Sequence, residues 1–167
     1  TRELFRKVPK SDGKVAARSK NSKLQIDLVD YKQENVAFNR GFKYVLIACE
    51  ILSRQIFTEI LKSKAPRDVV QAFKRILQRV GPVERVDSDM GREWLDVETF
   101  LKEQGVGYTV KESTNSLSVL DSAIGSFKQA ISRLQLSKNS ESWVDFVVPA
   151  TSAHNKTPAG ALRGDQP

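Results

Sequence analysis

Apolar and polar residues alternate along residues 24–31 (LQIDLVDY), the period-two pattern of a half-buried strand. A polar connection follows over 32–42, with Asn39, Arg40 and Gly41 as its turn signal. Residues 43–49 (KYVLIAC) are an unbroken apolar run of strand length, and 54–61 (RQIFTEIL) read as a third strand. Three successive strands with short links predict an antiparallel meander. The period then changes. Val69, Val70, Phe73, Ile76, Leu77 and Val80 recur at helical spacing, with Pro66 near the start and Gly81 and Pro82 as the stop. A short strand is expected at 83–88, a short glycine-ended helix at 96–105 and a further short strand at 107–110. Beyond a polar loop at 111–116, Leu117, Leu120, Ile124, Phe127, Ile131 and Leu134 mark the stripe of a long amphipathic helix. A last helix runs from Ser142 to about Ala153. The order β-β-β-α-β-α-β-α-α predicts an α/β layer of mixed strand direction.

Charge divides the chain differently. Lys and Arg number 27 against 20 acids, a net charge of +7. Residues 1–23 alone hold eight basic residues (Arg2, Arg6, Lys7, Lys10, Lys14, Arg18, Lys20 and Lys23) against Glu3 and Asp12, leaving the rest at 19 basic and 18 acidic. The expected organisation is a basic arm or linker over 1–23, a nearly neutral core over 24–158 and a turn-rich tail over 159–167. Such an arm suits a phosphate backbone, and equally a solvated linker. No apolar run approaches the ~18 residues of a membrane span, and the N-terminal stretch lacks a signal-peptide core. An intracellular protein with no membrane partner is the expectation. The one cysteine, Cys49, sits in an apolar run that predicts a buried thiol, and with the one histidine, His154, it cannot build a Cys/His zinc site. A Ser-His-Asp or Cys-His catalytic arrangement would have to use His154, in a polar stretch near the C-terminus. Any metal would therefore take oxygen ligands.

Three acids stand out by position. Asp27 lies within the first strand, on the face opposite Ile26 and Leu28, where a carboxylate is costly unless paired, metal-bound or at an open edge. Asp89 follows the fourth strand, with Gly91 expected to let the chain turn sharply after it. Asp121 lies in the first turns of the long helix, and Lys128, seven positions on, falls within about 20° of it around the axis. Carboxylates from two strands and a helix are able to converge at one end of a sheet, and Mg²⁺ is satisfied by a few such oxygens plus water and phosphate. Among 20 acids many triplets exist, and a strand-end Asp also serves as a turn or cap residue. Spacing alone leaves both readings open.

Distributed motifs add to this reading. Residues 24–30 (LQIDLVD) resemble the first-strand motif of integrase catalytic cores, with Asp27 at the catalytic position. Residues 39–54 (NRGFKYVLIACEILSR) resemble the block G-Y-K-Y-L-L-x-V-I-D-x-F-S-R, with Glu50 in place of Asp. Residues 86–94 (VDSDMGREW) resemble S-D-x-G-x-E-F, which puts a second catalytic acid at Asp89. Residues 118–128 (SVLDSAIGSFK) take the place of G-V-V-E-R-x-N-x-x-L-K, with Asp121 for Glu, Ser118 for Gly and Ile124 for Asn. Residues 153–158 (AHNKTP) resemble a shortened Y-N-x-x-x-H-x-x-x-x-x-x-P ending. From about residue 24 to 158 the chain is thus similar to retroviral and retrotransposon integrase cores, and to those of Polinton-type DNA transposons.

The resemblance implies an RNase H-like fold, a five-stranded mixed sheet of three antiparallel and then parallel strands flanked by helices. It implies a mobile-element integrase performing DNA 3′-end processing and strand transfer, with Asp27, Asp89 and Asp121 holding two Mg²⁺ or Mn²⁺ ions. Its partners would be element-end and target DNA and a second copy of the chain or more, acting in the nucleus on chromosomal DNA. Lys128, Asn115, Ser116, Lys20 and Lys23 are the expected DNA-contacting residues, Asn115 and Ser116 doing so from a loop over the site or else capping the helix. Glu50, Asp87 and Glu93 read as surface or supporting groups, Trp94 and Trp143 as core or interface residues. Two alternatives stay open: a decayed or domesticated core that binds DNA without chemistry, and a self-standing RNase H-like nuclease. The resemblance also implies flanking domains in a longer protein.

Overall fold

A computed structural model describes residues 23–112 and 118–157. Lys20, Asn115, Ser116 and the tail at 159–167 lie outside the described residues, as does all of the basic arm except Lys23. The expected meander is present as β1 (Lys23–Asp30), β2 (Tyr44–Glu50) and β3 (Ile56–Leu61), paired antiparallel. α1 (Pro66–Val80) leads to β4 (Arg85–Asp89), and α2 (Leu95–Glu103) leads to β5 (Gly107–Lys111). β4 pairs parallel with β1, and β5 parallel with β4, giving the order β3-β2-β1-β4-β5. α3 (Ser118–Lys138) and α4 (Val147–Lys156) complete the chain.

Alternation along β1 and β2 divides the interior into two cores. Leu24, Ile26, Leu46 and Val86 face α1 and α2, packing with Phe73, Ile76, Leu77, Trp94 and Leu101. Val29, Val45, Ile47, Cys49 and Ile56 face α3 and α4, packing with Leu120, Phe127, Ile131 and Trp143. β2 has both faces covered, which is why its sequence is uniformly apolar rather than alternating. Both tryptophans are core residues, Trp143 stacked on Tyr31 with ring centroids 4.6 Å apart. Burial pushes the Cys49 thiol up to about 12. No helix among the described residues is long and apolar enough to cross a membrane.

Three details correct the sequence reading. β3 begins at Ile56 rather than residue 54, because residues 51–53 turn and Arg54 adopts a left-handed φ of 64°. Glu50 is not at the surface. It is fully buried, and its two carboxylate oxygens accept the backbone N–H groups of Leu52 (3.1 Å) and Ser53 (2.6 Å), so it holds that turn. Asn39 does more than turn the chain. It is buried, donates to the Asn35 carbonyl, and accepts the N–H groups of Trp143 (2.8 Å) and Val144 (3.3 Å).

α4 is fixed against the sheet by side chains. His154 Nε2 donates to the Arg54 carbonyl (2.9 Å), which leaves Nδ1 to accept the Ser126 hydroxyl (3.1 Å) in the neutral ring. The histidine is therefore a buried structural tie. Asn155 accepts the Ile56 N–H (2.8 Å) and donates to the Ile56 carbonyl (2.9 Å), occupying a strand position beside the sheet edge.

Candidate active site

β1 is the central strand, with an antiparallel neighbour on one side and a parallel one on the other. Its ladder with β4 runs Lys23↔Arg85, Leu24↔Val86, Gln25↔Asp87 and ends there. Asp27 lies two residues beyond that last pair on β1, and Asp89 two beyond it on β4. The acids therefore stand side by side where the two strands part, at the carboxyl ends of parallel strands where α/β sheets open a crevice. Asp27 pairs opposite Ile47, whose side chain is in the core under α3, so Asp27 faces α3 as its alternation requires.

Local contacts fix both strand acids. Asp27 Oδ1 accepts the Leu28 N–H at 2.8 Å. Asp89 Oδ1 accepts the indole N–H of Trp94 at 2.9 Å, so a buried tryptophan of the opposite core orients a carboxylate at the crevice. Each acid keeps its second oxygen outside these bonds. Asp121 is exposed in the first turn of α3, and Lys128 is exposed farther along the same helix.

The acids share one electrostatic neighbourhood. The Asp27 carboxyl is pushed up to about 6, first by burial and next by the Asp89 charge, with Asp121 and Glu93 adding and the Leu28 N–H opposing. Glu93 thus joins the three expected acids, a role the sequence reading left at surface or support. The signal was present in the S-D-x-G-x-E-F pattern itself. Gly91, between Asp89 and Glu93, is also corrected: its φ of −178° is extended backbone, not a sharp turn. A Cβ there would lie 2.5 Å from both Glu93 carboxylate oxygens, so a larger residue at 91 would push the Glu93 side chain aside.

Below the crevice the charges are paired. Asp87, fully buried, accepts from Arg85 Nε at 3.0 Å and faces Lys23 Nζ at 3.6 Å. Lys23, expected on DNA, thus has a carboxylate within reach. None of the ion pairs among the described residues reaches Asp27, Asp89, Asp121 or Glu93. The donor chemistry suits a hard divalent cation: oxygens only, crowded negative charge and no resident counter-ion. The spacing is open. Among the described residues no three acidic, His or Cys side chains are gathered tightly enough to ligate one ion.

Comparison with solved structures bears on the fold. The catalytic core domain of BIV integrase superposes with a TM-score of 0.67 at 18% identity, covering 84% of this chain and 87% of that one. The HTLV-2 integrase catalytic core domain, solved in complex with magnesium in a trimeric form, gives 0.65 at 12% identity over 81% of this chain and 86% of that one. The chain has the fold of integrase catalytic cores. Its sheet order and flanking helices are the RNase H-like arrangement expected from the sequence. No protein-family model matches the chain. An uncharacterized transposon-derived protein of Caenorhabditis elegans is 24% identical over 146 residues, 81% of this chain, which spans about half that relative's length.

Proposed function

We propose that the chain is the catalytic core of a mobile-element integrase, with Asp27, Asp89 and Asp121 holding two Mg²⁺ or Mn²⁺ ions. What supports this is the position of Asp27 and Asp89 side by side where β1 and β4 part, with the Asp121 charge on α3 felt at Asp27, in a chain with the fold of integrase cores. Bound divalent ions supply charge neutralisation and activation of a hydroxyl for in-line attack on a phosphodiester. The residues of the chain set up the rest. The Leu28 N–H and the Trp94 indole fix one oxygen each of Asp27 and Asp89, leaving the other oxygen of each for a ligand. The net charge of these acids repels a DNA backbone until cations are present, which ties DNA engagement to metal binding. Lys128 lies on the helix of Asp121 and would take substrate phosphate, together with Asn115, Ser116, Lys20 and Lys23. DNA ends and target, and a second copy of the chain, are the partners this reading requires, with chromosomal DNA in the nucleus as the place of action.

One observation favours a second reading, a decayed core that keeps DNA affinity: the acids are not gathered to ligating distance, and the third is the shorter Asp. A strand-transfer and 3′-processing assay in Mn²⁺ with wild type, Asp27→Asn and Asp89→Asn separates them. An integrase joins a donor end to target DNA only as wild type. Equal behaviour of all three proteins supports the decayed core, and cleavage of an RNA–DNA hybrid without joining points to a nuclease.

A further inference from the structure

One pleat below Asp27, on the same face of β1, lies Gln25, in register with Asp87 of β4 and only 6% exposed. A buried amide is costly unless bonded. Its Oε1 accepts the backbone N–H of Leu120 at 3.1 Å, a bond between residues 95 positions apart. Leu120 is in the opening turn of α3, whose first N–H groups have no carbonyl within the helix to bond. The sheet supplies the missing acceptor. The Leu120 side chain is itself fully buried in the core under α3. The residue next to Asp121 is thus held twice, through backbone and side chain, to the strand that carries Asp27.

We propose that Gln25 is a positioning residue for the carboxylate site, setting the height of α3 on β1 and hence the reach of Asp121 toward Asp27. This rests on the metal-holding reading above. The requirement is sharpened by the side chain at 121. Mg²⁺ accepts oxygens only at about 2.0–2.1 Å, and an Asp has one methylene less than a Glu with which to make up a displaced helix. A flexible tether would not serve. A strand amide anchored one pleat from Asp27 moves with it, so the two acids keep their relation when the helix shifts.

The test is Mn²⁺ affinity of the full chain, by calorimetry and by electron paramagnetic resonance, alongside thermal unfolding. Gln25→Met keeps the volume and removes the acceptor, and should weaken Mn²⁺ binding about 10–100-fold, the usual effect of losing a residue that orients a ligand. Ile131→Val, a small core loss farther along α3, should lower the unfolding temperature and leave affinity as in wild type. The proposal is overturned if Gln25→Met binds Mn²⁺ like wild type, or if Ile131→Val weakens binding as much. Should Gln25→Met not fold, Gln25→Asn, one methylene short of the Leu120 N–H, is held to the same limits. Asp27→Asn separates the two readings. If it binds Mn²⁺ as well as wild type, the metal site itself fails and this proposal with it.

Discussion

Burial beside Asp89, Asp121 and Glu93 leaves the Asp27 carboxyl with a pKa of about 6 against 3.8 for the free group. The folded state therefore holds the proton more tightly than the unfolded chain. Its contribution is fully present below about pH 4 and is lost as pH rises through about 6, a swing of at most about 3 kcal/mol. In metal-free buffer Asp27→Asn should be more stable than wild type at pH 7.5, with the two converging near pH 4. Urea unfolding with EDTA at both pH values measures this, and no gain at pH 7.5 would contradict the crowding. The face of Asp27 was legible in the sequence because period-two alternation assigns a face to every strand residue, while Asp89 was picked out by its S-D-x-G-x-E-F-like segment. Gln25 was not. A polar residue in a strand ordinarily signals solvent, and only the docking of α3 turns it into a buried acceptor. The sharp turn expected at Gly91 was misread, since its backbone is extended and the atoms nearest it belong to the Glu93 side chain.

At the level of elements, the outer edge of β3 is partly satisfied by side chains instead of by another strand. Asn155 bonds both backbone groups of Ile56, and Arg79 Nη2 donates to the Thr58 carbonyl at 2.8 Å. Glu59 holds Arg75 and Arg79 in place. A free strand edge is a template for another chain, and these bonds cover the Ile56–Thr58 end of this one. Asn155→Ala leaves one donor and one acceptor unmet and should cost about 1–2 kcal/mol. The same variant should aggregate faster under mild heating, read by light scattering at matched protein concentration, whereas Lys156→Ala on the neighbouring position should do neither. Element order was legible, because the apolar period switches between two and 3.6, but the last helix begins at Val147 rather than Ser142, after a single 3-10 turn over Val144–Phe146. The start of β3 was not, since the left-handed turn at Arg54 depends on Glu50 folding back on its own backbone.

For the whole molecule, cation binding and folding are linked. A ligand that binds the native state at 100 times its Kd stabilises it by about 2.7 kcal/mol, which in a chain of this size raises the unfolding temperature by roughly 5–10 °C. Mg²⁺ should therefore raise the unfolding temperature of the wild type in a concentration-dependent way, and raise that of Asp27→Asn and Asp89→Asn far less. Scanning calorimetry across a Mg²⁺ series checks it; equal shifts in all three proteins would mean the cation binds elsewhere. The α/β architecture was readable from pattern, whereas the division into two cores appears only once the helices are docked. The separation between acids was not, because it depends on where a helix lands and how far a side chain reaches.

The sheet order also sets a timetable. β1, β2 and β3 are neighbours in sequence and in space, so their pairing closes only short loops. The β1–β4 ladder must wait for α1, and the Gln25 bond to Leu120 closes a loop of 95 positions. Long closures of this kind come late and slow a fold. During synthesis the strand carrying Asp27 can find its meander partners while the chain bearing Asp121 is still within the ribosome. Asp27 and Asp89 meet as β4 joins a meander already formed, and Asp121 comes last with α3, so the repulsion among them does not oppose the first steps.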